Sequence, residues 1–183
     1  MRLLVEAELR PVQGERFQPT GFPDLGAAVY ESPKGPRLLV ESPQSMANRL
    51  EAVCWDAGQN DLRPELKGLS YVRVHNTDRT YLTSSITESH RLNSPYILEG
   101  SDKTFLETLK KETAGLDKGA LARNKLAGIV FAYDASSLIH GVFLAKSDLV
   151  GGRLRIERAL SAFIEAEGVR VAASGGVKMD HVD

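Results

Sequence analysis

Apolar and polar residues alternate from the start of the chain, and the alternation over Leu3–Leu9 predicts a strand. The next stretch, RPVQGERFQPTGFPDL, carries Gly14, Pro19, Gly21 and Pro23, which block regular structure and predict an ordered loop. GAAVYE and RLLVE then read as two short strands around SPKGP, a hairpin signal. A long helix follows over Pro43–Ala57. Its stripe of Met46, Leu50, Val53, Cys54 and Ala57 has the spacing of a core-facing side.

Between residues 58 and 124 the pattern loosens. SYVRV reads as a strand, and SSITESHRL as a short helix opened by Ser85 and Glu88 at capping-box spacing. DKTFLETLKKETA is amphipathic, with Phe105, Leu106 and Leu109 expected inward. Regular patterning returns with AGIVFAY and LIHGVFLA, expected as adjacent strands. IERALSAFIEAEG follows as a helix burying Ile156, Leu160, Phe163 and Ile164 and stopped by Gly168. VRVAAS closes as a strand. With residues 58–126 set aside as a large insertion between the first helix and the second core strand, the order is βαββαβ. That is a ferredoxin-like or RRM-like α+β fold, a single domain over residues 1–183 with its core in 26–57 and 127–174.

Composition narrows the function classes. A formal net charge of −1 argues weakly against a protein that holds nucleic acid by bulk charge, so a polyanion must be met by placed residues. No apolar run reaches the length of a membrane helix, and no signal-peptide pattern opens the chain. Cys54 stands alone and reads as a small core residue, with no disulfide available to it. The expected compartment is the cytoplasm.

The polar residues at the start of the first helix are the leading candidate for chemistry. Ser42 suits the N-cap, Pro43 the first helical position, and Ser45 is then surplus to capping. Two readings stand: a well-capped helix with a solvated face, or a phosphate site made by free N–H groups with Gln44, Ser45, Asn48 and Arg49. The same choice applies to His90, Arg91, Asn93 and Ser94, which either cap and solvate or meet RNA phosphates and unpaired bases. SGGVK sets Gly175, Gly176 and Lys178 in a donor-rich turn without phosphate-loop spacing. Arg153, Arg155 and Arg158 either line a basic edge or pair with Glu157 and Glu165. His75, His90, His140 and His181 show no metal-ligand spacing, so neither a metal nor another cofactor is expected; His140 reads as a satisfied strand histidine.

Six segments in order, FQPTGFPDLG, LLVESPQSMANRLE, LTSSITESHRLNSPYIL, HGVFLA, RALSAFIEA and SGGVK, together resemble the crRNA-backbone subunit of type I CRISPR effector complexes. This is the Cas-seven family of the RAMP superfamily, in its U (now G) subtype. The resemblance implies that Ser42, Gln44 and Ser45 match a serine-and-glutamine turn that holds the guide-RNA backbone, with Arg49 as its base. Met46-Ala47-Asn48 replaces the lysine-arginine pairs of other subtypes. It also implies a backbone-tracking loop at Gly175, Gly176 and Lys178, and no catalysis. The partners it implies are crRNA, further copies of the chain placed head to tail, other Cascade subunits, and target DNA met through the guide. Members tend to be longer, so a C-terminal truncation that removes part of a thumb-like extension is a further expectation. The alternatives are a RAMP-superfamily RNA endonuclease using Asp24 or Asp134, or a phosphate- or nucleotide-binding domain.

Overall fold

The computed structural model describes residues 2–19, 21–22, 26–116 and 122–171. They divide into two compact units: one holds the described residues up to Ser42 and those from Phe163 on, the other is Pro43–Ala162.

In the first unit, β1 (Gly21–Phe22) pairs with β2 (Gly26–Ala27). β3 (Val29–Ser32) and β4 (Gly35–Glu41) form the hairpin that SPKGP predicts, in the register Val29↔Leu38 to Ser32↔Gly35. The turn closes because the Ser32 hydroxyl donates to the Gly35 carbonyl at 2.7 Å. Gly35 sits at φ +105°, where a side chain would be strained. The open side of β4 takes β11 (Ile164–Glu167), antiparallel, giving the order β11-β4-β3. Arg37 reaches Glu165 at 3.0 Å and Glu167 at 3.4 Å, and the Tyr30 hydroxyl also donates to Glu165. The hydroxyl's bond to that carboxylate holds the Tyr30 pKa above its ordinary value. Leu38 is buried between its two neighbouring strands.

The second unit opens with α1 (Pro43–Cys54), followed by β5 (Trp55–Asp56), β6 (Asp61–Leu62), β7 (Arg73–His75) and β8 (Tyr81–Ser84). β5 pairs with β6 and β7 with β8, both antiparallel. Trp55 packs edge-on to Tyr71 and tilted against Tyr81, each at 5.7 Å between ring centroids. The Tyr71 hydroxyl donates to Asp61 at 2.7 Å. That bond and the Lys67 ammonium lower the Asp61 carboxyl to about 2. Burial, then the same bond, pushes Tyr71 to about 12. Beyond a 3-10 turn at Arg91–Asn93 come α2 (Pro95–Leu98), α3 (Thr104–Thr113), α4 (Arg123–Tyr133), α5 (Ala135–His140), β9 (Val142–Leu144) and β10 (Leu154–Ile156). One apolar core joins Leu92, Leu98 and Leu109 to Leu126, Leu144 and Leu154, so residues from the expected insertion and from the expected core share it. Among the described residues no helix is long and apolar enough to cross a membrane.

The chain is therefore α+β, with small antiparallel sheets and five helices among the described residues, in agreement with an RRM-like α+β fold. Several element assignments differ from the sequence reading. Residues 127–133 lie in helix α4, because Leu126 and Val130 bury at i, i+4 spacing and the short apolar run fits either period. LIHGVFLA splits into the end of α5 and strand β9 at Gly141, which has φ +80°. There an added Cβ would come within 3.0 Å of the Arg158 nitrogen and the Ile156 carbonyl.

Residues 156–167 form no helix. Ile164, Glu165, Ala166 and Glu167 also alternate, and pairing with β4 plus the bonds to Arg37 wins over helical periodicity. SSITESHRL is a run of turns rather than a helix: Glu88 accepts from the Thr83 and Ser94 hydroxyls, and Ser85 from the Val72 N–H, so no capping box forms. Leu3–Leu9 belongs to no sheet among the described residues, since alternation supplies a face but not a partner strand. Residues 169–171 are not in a strand, and 172–174 lie outside the described residues.

Candidate nucleic-acid interface

α1 begins at Pro43, where the fixed φ of the ring suits the first helical position and the missing N–H leaves no donor unpaired. Its first turn carries no acidic side chain, so no carboxylate of that turn offsets the partial positive charge of the helix start. Helical spacing stacks Gln44 beside Asn48 and Ser45 beside Arg49. Gln44 and Arg49 are exposed, while Ser45 and Asn48 are half-buried. The Asn48 Oδ1 is buried and accepts no hydrogen bond from the described residues. Ser42 directly precedes Pro43 in the chain and belongs to the other unit.

The buried face of α1 is not the predicted stripe. Ala47 and Glu51, at i, i+4 spacing, point inward, while Val53 is 62% exposed and Ala57 is also exposed. The reason is an ion pair. Arg91 donates from Nε and Nη2 to the two oxygens of Glu51, each at 2.7 Å, and both side chains are almost wholly buried. Ser136 donates a third bond to Glu51 at 2.7 Å. Arg91 sits at φ +51°, a left-handed conformation that a non-glycine residue holds only when its surroundings fix it. Cys54, on the same helix, donates to the Leu50 carbonyl at 3.3 Å, and burial followed by the Glu51 charge pushes its thiol pKa up, as suits an inert thiol.

Behind the pair lie Asp134 and His140. Asp134 ends α4 and caps α5, accepting from the Ser136 N–H at 3.0 Å and the Ser137 hydroxyl at 2.7 Å. Burial raises its pKa, with the Glu51 charge adding to that and the two bonds opposing it. His140 closes α5 rather than sitting in a strand, is 6% exposed, and its Nδ1 has no hydrogen-bond partner among the described residues. Burial lowers its pKa. The Glu51 charge opposes the shift, while Arg91 and Arg158 reinforce it.

The predicted residues thus separate into distinct environments. Gln44, Ser45, Asn48 and Arg49 share the first two turns of α1. Of the second group only His90 is exposed: Arg91 is spent on Glu51, and Asn93 Oδ1 accepts from the Ala145 N–H at 2.8 Å. Ser94 caps α2. Gly175, Gly176, Lys178, Asp24 and His181 lie outside the described residues.

A further candidate sits on the β9–β10 ribbon, where Phe143 stands directly opposite Arg155. Val142, Leu144 and Leu154 turn into the core, so strand alternation leaves Phe143 54% exposed and Arg155 exposed beside it. An outward aromatic ring beside a guanidinium offers a base a stacking face and a phosphate a charge. The alternation within HGVFLA is the sequence signal that marks Phe143 as outward. Arg153 and Arg158 each donate instead to backbone carbonyls, of Val150 and His140, both at 3.3 Å.

Two outcomes test this network. Arg91→Ala leaves Glu51 buried and unpaired and is expected to destabilise the protein by about 3–5 kcal/mol in urea unfolding, whereas the double change Glu51→Met with Arg91→Met recovers most of that loss. The pH dependence has a defined sign. Because the folded pKa of His140 lies below its ordinary 6.5, the unfolded chain binds more protons, so stability is full above pH 6.5 and falls as the pH drops toward the depressed value. His140→Gln is expected to flatten that part of a stability–pH profile.

No curated protein matches the sequence. Residues 3–171 match the family model described as CRISPR-associated protein GSU0053, and on a match spanning most of the chain this protein belongs to that CRISPR-associated family.

Proposed function

We propose that this chain is a non-catalytic crRNA-binding backbone subunit of a type I CRISPR complex, of the Cas-seven kind in the RAMP superfamily. Several copies line up head to tail along the guide, alongside other Cascade subunits, and the guide's bases read the DNA target. Family membership supports a role in CRISPR defence. The observation that carries the finer reading is the carboxylate-free first turn of α1, with Gln44, Ser45, Asn48 and Arg49 on its first two turns.

The chemistry fits a guide of any sequence. Helix-start N–H groups, an amide, a hydroxyl and a guanidinium recognise phosphate and ribose, not base identity. Phe143 with Arg155 adds a stacking face that tolerates every base. Specificity then rests on base pairing by the guide. The burial of Asp134 and its two capping bonds support a structural role for that carboxylate and so favour a scaffold over a nuclease.

The test is filter binding of several unrelated guide-length RNAs over a range of salt. Arg49→Ala is expected to weaken all of them alike and to reduce the magnitude of the salt slope by about 0.7–0.9, the loss of one phosphate contact. Phe143→Ala is expected to cost about 1–3 kcal/mol with little change in that slope. Unchanged binding by both variants would refute the interface. Cleavage of an added complementary RNA would replace the scaffold reading with the endonuclease one.

A further inference from the structure

The turn that joins β9 to β10 holds three left-handed residues in a row: Val150 at φ +52°, then Gly151 and Gly152 at +67°. Glycine takes that conformation freely, but a β-branched residue holds it only where its surroundings force it. Here they do. Leu149 is wholly buried, and the half-buried Val150 packs against the same apolar core. Backbone bonds tie the turn: the Gly151 N–H donates to the Ser147 carbonyl and the Gly152 N–H to the Leu149 carbonyl, both at 3.0 Å. Arg153 donates to the Val150 carbonyl itself at 3.3 Å. The turn also closes tightly on its own start, since a Cβ on Gly152 would fall 2.5 Å from the Ala145 carbonyl oxygen.

We propose that Val150 is a positioning residue for the outward face made by Phe143 and Arg155. This deepens the RNA-contact reading of that pair and rests on it. The turn runs directly into the closing pair of the ribbon, Leu144 opposite Leu154, and Phe143 opposite Arg155 is the next pair along. Twist accumulates from pair to pair, so the angle at which the turn feeds the two strands sets how ring and guanidinium stand to each other. Leu144 and Leu154 lie in the core against which Val150 packs, so docking of the valine fixes the turn and the ribbon's end together. Without that docking, a residue with a Cβ escapes its left-handed strain by returning to negative φ, and the end of the ribbon turns with it. A base that stacks on Phe143 while its phosphate meets Arg155 needs the two groups held at a fixed offset, which packing of a supporting residue supplies.

The test separates a turn that must be left-handed from a side chain that only packs. Val150→Ala keeps a Cβ but loses most of the docking, and is expected to weaken binding of a guide-length RNA by about fivefold, the lower end of what one stacked base contributes. Val150→Gly removes more of the side chain yet takes φ +52° without strain, so it is expected to bind RNA more tightly than Val150→Ala. Packing alone would give the opposite order. A second measurement reads the ribbon without RNA. In a Cys54→Ala background, Phe143→Cys and Arg155→Cys are expected to join in a cross-strand disulfide more slowly when Val150→Ala is added than when Val150→Gly is added. The proposal is overturned if Val150→Gly binds RNA no better than Val150→Ala, or if neither change moves the disulfide rate. Unchanged RNA binding by Phe143→Ala, with the disulfide rates still in the expected order, overturns the RNA reading of the pair and upholds the turn's hold on it.

Discussion

Taking two charges out of water is costly unless each finds full compensation, and the larger unit is built around one such pair. Glu51 and Arg91 meet through two 2.7 Å bonds, and Ser136 supplies a third to the same carboxylate. The guanidinium fork matches both carboxylate oxygens, which is the geometry that offsets desolvation best. Because Glu51 must face inward, the rotation of α1 about its axis is set. Ser45, Arg49 and Val53 then lie on the side away from Ala47 and Glu51. The helix's outward chemistry is thus fixed by a contact on its hidden side.

Local signals carried the parts of the fold that local physics decides. The β3–β4 hairpin follows from two short alternating runs around a Ser-Pro-Lys-Gly turn, and α3 from Leu106 and Leu109 at core spacing. Elsewhere a partner distant in sequence decided. The helix-like period of residues 156–167 yields to β4, 128 residues away, where Arg37 binds Glu165. The apolar run of α4 has no period of its own strong enough to exclude a strand, and packing of Leu126 and Val130 settles it.

The candidate site divides in the same way. Gln44, Ser45, Asn48 and Arg49 were readable because a helix start and its spacing are local features. From sequence Arg91 reads either as a capping or solvated residue or as an RNA contact; its guanidinium is in fact spent on a buried carboxylate that nothing near it in sequence announces, Glu51, 40 residues earlier. Apolar composition alone suggests a buried Phe143; only the strand's alternation, together with Val142 and Leu144 facing the core, turns its ring outward. In each case residue type suggested one role and the residue across the fold assigned another.

Asp134 joins two helices through one side chain. Its N–H bonds to the Val130 carbonyl at the end of α4, while its carboxylate holds Ser136 and Ser137 at the start of α5. Ser136 in turn holds Glu51 on α1. A local opening at this junction therefore cannot stop at one helix end: it releases the α4 terminus, the α5 cap and the Ser136 bond to Glu51 together. Two segments well apart in sequence, α1 and the α4–α5 junction, form one cooperative opening unit, so the helix that presents the candidate RNA contacts shares the opening free energy of the buried centre rather than that of a surface loop.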